Sequence, residues 1–271
     1  MPALVRFVLA ILAIAVPAAA FADCPGFIAR APTGIRLAAG SGMALPRLLV
    51  ENEGQVGITF LGHSSFLIQS PQGVSAITDF NDYIAPLVLP DIVTMNNAHD
   101  THYTPRPDPR IRHILRGWTL GENPTLHDIR YKDVEVRNVP THARGFRGMG
   151  GTRAYGNSIF LFNTAGICIA HLGHLHHLLN NVILSEIGKI DVVMVPIDGM
   201  YTMSQEDAID ALEKIKAPLN LPMHYFGQHT LNRFLEKARP KFPVTISSTS
   251  TIAITRSDLP DQPEILVLPG R

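Results

Sequence analysis

Short apolar runs, many of them rich in β-branched residues, recur along the chain and alternate with polar turns. Runs of this length and composition favour strands, and the first three, at residues 58–61, 65–69 and 74–78, predict a β-meander. The next run, at residues 92–95, has the length of a buried strand and leads directly into a polar loop. Later strands are predicted at residues 133–139, 158–163, 167–170, 190–195 and 219–223.

In the last third of the chain, apolar residues with helical spacing alternate with the predicted strands. Ser204 is a suitable N-cap for a helix that ends before Pro218, and residues 230–239 predict a second helix that is stopped by a proline. The apolar face of the first helix comprises Ala208, Ile209, Leu212 and Ile215. We expect strands and helices to alternate in two similar halves that divide near residue 163, which indicates an α/β fold.

The amino terminus has the pattern of a secretory signal peptide. One early charge, Arg6, precedes an apolar run and a small-x-small cleavage site that ends at Ala22. We expect residues 1–22 to be removed, residues 23–47 to form an irregular leader, and residues 48–271 to form a single domain. The mature protein is therefore expected in the periplasm or outside the cell.

Opposite charges balance in this chain, with 23 basic and 23 acidic side chains. The net charge therefore indicates neither nucleic acid nor an acidic membrane surface as a partner. The two cysteines, Cys24 and Cys168, leave two alternatives open. An oxidising compartment permits a disulfide bridge between them, whereas the apolar residues around Cys168 are equally compatible with a buried free thiol.

The polar loop after residues 92–95 carries Asn97, His99, Thr101 and His102. Side chains two positions apart on an extended segment point to the same side, so Asn97, His99 and Thr101 can converge beside the strand end. Imidazole groups at such spacing suit Zn²⁺ or a similar ion. The loop alone is also compatible with a plain polar surface, so the remaining histidines decide between the two interpretations.

Further histidines follow the ends of later strands. His142 stands directly after a predicted strand and before a loop rich in glycine and arginine, which includes Arg144 and Arg147. His174 lies in a segment with four histidines in seven residues, and His224 follows the last strand of the predicted set. Histidines at this density are hard to explain as filling of an apolar core.

Taken in order, these segments resemble the metal-binding motifs of the metallo-β-lactamase superfamily. The family pattern His-x-His-x-Asp-His reads Asn97-x-His99-x-Thr101-His102 here, and His174 stands where the family pattern His-x-Gly-Asp has its aspartate. The resemblance is strongest for the branch that includes the ascorbate-6-phosphate lactonase and the phospholipase D that cleaves N-acyl phosphatidylethanolamines. It implies a four-layer αββα sandwich, an α/β fold, with a metal site.

The resemblance also implies a role for each candidate residue. The metal side chains would be His99, His102, His142, His174 and His224, with Asn97 at a position where the family has histidine. The reacting centre would comprise His174, His102 and Thr101. Asp79 would orient the ligands from behind, His63 would be a structural imidazole beside the site, and Tyr201 would lie over it. Arg144 or Arg147 would hold an anionic group of the substrate.

Both family aspartates are absent, at Thr101 and His174. Two divalent ions without a bridging carboxylate would repel each other, so we expect one ion. Zinc is the first expectation, and copper, nickel or iron also suit an all-imidazole site. The expected activity is hydrolysis of an ester, lactone or phosphodiester of an anionic small molecule by activated water. The alternative is a catalytically inactive protein of the same fold that binds a small anion or a protein partner.

Overall fold

The structure is a computed structural model, and the residues that it describes are Cys24 and residues 54–84, 89–145 and 151–270. The expected signal peptide, the leader apart from Cys24, and Arg147 lie outside the described residues, so they stay predictions. In the described part of the chain, none of the helices combines the length and the hydropathy that crossing a bilayer requires.

The first part of the chain is made of strands. They are β1 (Val56–Gly62), β2 (Ser65–Gln69), β3 (Ser75–Ile77), β4 (Ile92–Met95), β5 (His113–Arg116), β6 (Asp128–Tyr131), β7 (Val134–Arg144), β8 (Thr152–Thr164) and β9 (Ile167–His171). The remaining elements are α1 (Asn181–Ile187), β10 (Val192–Pro196), α2 (Gln205–Ile215), β11 (Leu219–Met223), α3 (Gln228–Ala238), β12 (Val244–Ile246), β13 (Thr251–Ile254) and β14 (Glu264–Val267). The predicted strands and both predicted helices are confirmed, and the Ser204 hydroxyl caps α2 by accepting a hydrogen bond from the Asp207 amide at 3.0 Å.

These strands pair in two sheets. The first sheet has six strands in the order β13-β1-β2-β3-β4-β5, and the second has eight in the order β12-β14-β11-β10-β9-β8-β7-β6. β1, β2 and β3 form the predicted antiparallel meander, whereas β9, β10 and β11 are parallel neighbours. Parallel strands end at the same edge of a sheet, so the loops that follow these three strands meet there.

The two sheets face each other across an apolar interior. Phe66 of the first sheet and Phe160 and Met194 of the second belong to one buried cluster. On its other face the second sheet packs against helices, because Leu212 of α2 and Phe234 of α3 share a second cluster with residues of β8, β9 and β10. The predicted α/β sandwich is therefore present, and it buries a core on both faces of the larger sheet.

Loops cover the outer face of the six-stranded sheet. Met95 there packs against Tyr103, Ile111 and Trp118. Within the described residues no helix precedes α1, so the expectation that helices and strands alternate in both halves is wrong for the first half. Three prolines between residues 104 and 110 are one physical reason, because proline lacks the amide donor of a helix and clashes with the preceding turn.

Cys24 and Cys168 form a disulfide bridge, with their Cα atoms 5.7 Å apart. Of the two alternatives that the sequence left open, the bridge is the one that the structure contains. Both cysteines are buried in the cluster between the larger sheet and the helices. The bridge thus attaches a residue of the leader to the middle of β9.

Reduction of this bridge is expected to destabilise the protein by roughly 5 kcal/mol, because it opens a loop of more than a hundred residues in the unfolded chain. Urea unfolding with and without dithiothreitol measures the change in the free energy of unfolding. The double variant Cys24→Ser/Cys168→Ser is the control, since its stability should not respond to dithiothreitol. A wild-type protein with the same midpoint in both conditions would contradict the prediction.

Candidate metal centre

Two histidines from distant parts of the chain aim the same ring nitrogen at one point. His102, on the loop after β4, is fully buried, and His224, directly after β11, is 2% exposed. Their Nε2 atoms are 3.1 Å apart, and their rings stack with centroids separated by 5.0 Å. The edge of the sandwich where β4 and β11 end is therefore the candidate site.

His63 completes a group of three. It lies in the turn between β1 and β2, where its φ of 51° is in the left-handed region, as is the φ of 56° at His224. The His224 amide donates a hydrogen bond to the His63 carbonyl oxygen at 2.6 Å, and the two ring centroids are 4.2 Å apart. Ligand nitrogens of His63, His102 and His224 all lie within 4.8 Å of one another. Sequence analysis expected His63 beside the metal side chains, whereas the structure places it among them.

A buried carboxylate contacts His102 at Nδ1, the ring nitrogen opposite the one that faces His224. Asp79, two residues after β3, lies with its Oδ2 2.6 Å from His102 Nδ1, and both side chains are fully buried. The Asn96 amide donates a hydrogen bond to Asp79 Oδ1 at 3.1 Å. Burial opposes ionisation of Asp79, but the attraction of His102 and His171 lowers its pKa to about 2. The aspartate is therefore an anion that keeps the His102 proton on Nδ1, which is the geometry expected of the orienting role.

A second carboxylate, Asp198, holds His224 in the same way. Its Oδ1 lies 3.1 Å from His224 Nδ1 and accepts a hydrogen bond from the Thr202 hydroxyl, while its Oδ2 accepts from the Met200 and Tyr201 amides. Burial raises the pKa of Asp198, yet the hydrogen bond and the charge of His224 outweigh it and hold that pKa well below its ordinary value. Sequence reasoning assigned no role to Asp198. The available signal was an aspartate directly after a buried parallel strand, at the edge where such sheets bind ligands.

The facing Nε2 atoms of His102 and His224 form a position that suits a cation. When each ring donates its Nδ1 proton to a carboxylate, each Nε2 carries a bare lone pair. Two such acceptors 3.1 Å apart repel each other, and burial, which outweighs the attraction of Asp79, lowers the pKa of His102 and disfavours a bridging proton. Nitrogen ligands about 2.0–2.1 Å from a tetrahedral zinc ion are roughly 3.3 Å apart. The observed separation therefore fits a divalent ion between the rings.

His174 presents an unsatisfied nitrogen beside this pair. Its Nδ1 is buried and has no hydrogen-bond partner among the described residues. Its ring stands edge-on to His102 and His224, with centroids 4.9 Å and 5.2 Å away. Gly173, with a φ of 61°, allows this close approach, because a Cβ at that position would collide with two asparagine side chains. His174 thus lies next to the three-histidine group, and its part in the reacting centre stays a prediction.

His99 and Thr101 lie on the open side of the group. His99 Nδ1 and Thr101 Oγ1 are within hydrogen-bonding distance at 3.1 Å, and the His99 ring stacks 6.0 Å from His174. Both residues line the cavity described below. The loop after β4 therefore contributes His102 to the buried group and His99 and Thr101 to its solvent side.

Two of the predicted metal side chains have other partners. The side-chain oxygen of Asn97 accepts a hydrogen bond from the Arg153 guanidinium. His142 Nδ1 accepts one from the Tyr155 amide at 3.3 Å, and its ring packs 5.5 Å from His177. Of the predicted metal side chains in the described residues, His102 and His224 belong to the group of three that could hold an ion, together with His63, whereas His99, His142 and His174 do not. The hydrogen bonds of Asn97 and His142 engage polar atoms that were predicted to face the ion.

The histidine group opens into a cavity of about 570 Å³, a volume that suits a small molecule. Its lining comprises His63, His99, Thr101, His174, Asp198 and His224 together with Met200, Tyr201, Phe226, Thr230 and Arg233. Tyr201 is where it was predicted. Arg144 is not part of the lining, since its Nη2 donates a hydrogen bond to the Thr202 carbonyl oxygen at 3.0 Å. Phe226 and Arg233 were not foreseen: Phe226 lies in the loop between β11 and α3, and the packing of α3 brings Arg233 to the site.

Comparison with known families identifies the fold. The family model of the beta-lactamase superfamily domain matches residues 57–224. The chain belongs to this superfamily. A UPF0173 metal-dependent hydrolase of Carboxydothermus hydrogenoformans is 28% identical to this superfamily member over 191 residues, covering 62% of the chain and 84% of the relative. Another, from Methanoculleus marisnigri, is 25% identical over 217 residues, covering 73% and 91%.

Solved structures share the sandwich. A Thermotoga maritima protein assigned to the zinc-dependent hydrolases of the metallo-β-lactamase superfamily superposes with a TM-score of 0.56 at 22% identity, covering 79% of this chain and 98% of its own. A Parabacteroides distasonis protein assigned as a metal-dependent hydrolase gives a TM-score of 0.57 at 14% identity, covering 80% and 94%. These likenesses confirm the predicted fold.

Within the described residues, the group that could hold an ion contains three histidines and no carboxylate. Asp79 and Asp198 contact the Nδ1 atoms of two histidines, whereas Thr101 and His174 occupy the positions of the two aspartates in the family pattern. The site therefore combines a group of three imidazoles with two carboxylates that contact the Nδ1 atoms of His102 and His224.

Proposed function

We propose that this superfamily member is a metal-dependent hydrolase that holds one divalent ion on His63, His102 and His224. One observation carries the proposal: the Nε2 atoms of His102 and His224 face each other at 3.1 Å while a buried carboxylate binds each ring at Nδ1. Contacts of this kind fix the orientation of metal-binding histidines and raise their basicity. The relatives from Carboxydothermus and Methanoculleus are named metal-dependent hydrolases, which supports the same reaction class.

A divalent ion bound there supplies a Lewis acid that polarises a carbonyl or phosphoryl oxygen and lowers the pKa of water. The protein orients the reactants around it. Asp79 and Asp198 keep two rings aimed at the same point. His174 lines the cavity beside them and would contact the attacking water there. Burial lowers the pKa of His174 well below its ordinary value. His174 therefore stays neutral and orients the water, a task that the family gives to an aspartate at the position of Thr101.

We infer a single ion, and zinc as that ion. The Asn97 oxygen is engaged by the Arg153 guanidinium and His142 by the Tyr155 amide, which leaves a second ion short of ligands. No carboxylate among the ligands would screen two divalent charges from each other. Zinc suits imidazole ligands, and copper, nickel or iron are the alternatives for an all-imidazole set.

A catalytically inactive binding protein of the same fold is the second candidate. Thr101 and His174 replace the two aspartates of the family pattern, and this observation favours it. The protein would then keep the ion and the cavity for a small anion or a protein partner. The two candidates differ in turnover, not in metal binding.

Hydrolysis by metal-free and zinc-loaded protein separates the two candidates. The substrates are 4-nitrophenyl acetate, a γ-lactone and bis(4-nitrophenyl) phosphate, one for each proposed bond type. We expect at least one of them to be hydrolysed by the zinc-loaded wild type and not by the His224→Ala variant. Zinc-loaded protein that hydrolyses none of the three would favour the binding protein, and equal activity of metal-free protein would contradict metal dependence.

We also propose that the protein is exported and cleaved after Ala22. The apolar amino-terminal run motivates this proposal, and the Cys24–Cys168 bridge supports it because disulfides persist in oxidising compartments. Amino-terminal sequencing of protein recovered from the periplasm should begin at Asp23. Recovery from the cytoplasm with Met1 intact would contradict the proposal.

A further inference from the structure

Arg233 brings a positive charge to the cavity in a fixed orientation. It lies on α3, and its Nε donates a hydrogen bond to Gln205 Oε1 at 3.2 Å. Gln205 is itself 2% exposed, and its Nε2 donates to the carbonyl oxygens of Ile197 and Thr230. Both polar atoms of the Gln205 amide are therefore engaged, and its oxygen binds the guanidinium at Nε. The terminal Nη groups of Arg233 can then bind another partner.

The carboxylates near Arg233 are paired with other groups. Glu206, at the start of α2, forms an ion pair with Lys237 at 2.5 Å. Asp198, which also lines the cavity, binds His224, Thr202 and two backbone amides. In the described part of the chain, Arg233 takes part in no ion pair. Its charge helps to lower the pKa of Glu206, but that carboxylate is paired with Lys237, so the Nη groups of Arg233 can bind an anion that enters the cavity.

An apolar surface extends from the histidines along the same cavity. Met200, Tyr201 and Phe226 line it and are 71%, 56% and 58% exposed. The Phe226 ring lies 5.6 Å from His63 and 5.7 Å from His224, and Tyr201 packs edge-on against Phe226 at 5.7 Å. Exposed aromatic side chains that adjoin a polar site supply contact area for an apolar part of a ligand.

We propose that the cavity binds molecules that carry an aryl or short alkyl group next to an anionic group, with the apolar part on Phe226 and Tyr201 and the anion on Arg233. A guanidinium binds carboxylate or phosphate oxygens through two parallel N–H groups, which gives a directional contact. The inference rests on the proposed function for the bond that is broken, which would lie at the histidines. The binding step itself depends on Arg233 and the aromatic surface alone.

Binding of 2-naphthoate and of its neutral counterpart 2-naphthamide to metal-free protein tests this inference, because the carboxylate then has no ion to bind. Isothermal titration should show about tenfold tighter binding of 2-naphthoate to the wild type. Arg233→Gln should abolish this preference. Arg239→Gln removes an exposed arginine at the end of the same helix that does not line the cavity, so it should keep the preference.

Phe226→Ala should lower the affinity for both ligands by a similar factor, since both carry the same naphthyl group. Circular dichroism of each variant checks that the fold is retained. Wild-type protein that binds neither ligand, or an Arg233→Gln protein that still prefers 2-naphthoate, would overturn the inference. This experiment measures binding to metal-free protein, whereas the test of the proposed function measures hydrolysis by zinc-loaded protein. Either result can therefore fail without the other.

Discussion

His224→Ala is expected to weaken zinc binding by more than about a hundredfold. Loss of a carboxylate that merely orients a ligand already lowers metal affinity 10–100-fold, and His224 is proposed as a ligand itself. The fold should survive, because Asp198 keeps its hydrogen bonds from Thr202 and from two backbone amides. Isothermal titration of zinc into metal-free protein, in competition with a chelator, measures the dissociation constant.

His229→Ala is the matched control for this prediction. His229 is an exposed histidine on α3 and lies outside the cavity lining. Its replacement should leave the zinc affinity of the wild type unchanged. Equal affinities for the His224→Ala and His229→Ala proteins would show that zinc binds elsewhere.

Asp79→Ala is expected to lower the free energy of unfolding of the metal-free protein by about 3–5 kcal/mol. The substitution leaves two buried donors without an acceptor, namely the Nδ1–H of His102 and the backbone amide of Asn96, and each buried donor without a partner costs about 1–3 kcal/mol. The Ala side chain must also adopt the φ of 45° that Asp79 has. Urea unfolding monitored by circular dichroism measures the change.

Asp261→Ala serves as the comparison, because Asp261 is exposed in the tail of the domain. Its replacement should shift the urea midpoint little. If both alanine variants unfold at the wild-type midpoint, Asp79 is not the buried anion described above. Zinc titration of Asp79→Ala adds a second readout, with an expected loss of 10–100-fold in affinity.

Local pattern was sufficient for nine of the fourteen described strands and for the two longer helices, but not for the order of the strands in the sheets. The strands that end near the site are short and apolar on both faces, as in β4 and β10, where each residue is buried. Ser204 and the spacing of apolar residues after it located α2. The resemblance to the family motifs, and not local pattern, implied that His102 and His224 share one site, and the structure brings their Nε2 atoms to 3.1 Å.

Long-range packing positions three site residues whose roles the sequence did not reveal, namely His63, Asp198 and Arg233. His63 points into the site because its turn adopts a left-handed backbone and its carbonyl oxygen pairs with the His224 amide. Asp198 reaches His224 because β10 and β11 are parallel neighbours. Arg233 lines the cavity because α3 packs beside α2, where Gln205 holds its guanidinium. None of these contacts has a signature within a short window of sequence.

Asn97 shows that the place of a residue in a motif does not determine the partner of its side chain. Its position in the motif predicted a metal side chain, but an amide oxygen is also a good acceptor for a guanidinium. Arg153, from the strand that pairs beside it, donates that hydrogen bond. The motif kept its place in the fold while the side chain acquired a different partner.

Anomalous diffraction at the zinc absorption edge, from a crystal of the zinc-loaded protein, tests the central claim most directly. One strong peak is expected, about 2.0–2.1 Å from the Nε2 atoms of His102 and His224 and within reach of His63. Two peaks of equal height, or a single peak beside His142 and His177, would contradict the single-ion site and the hydrolytic centre built on it.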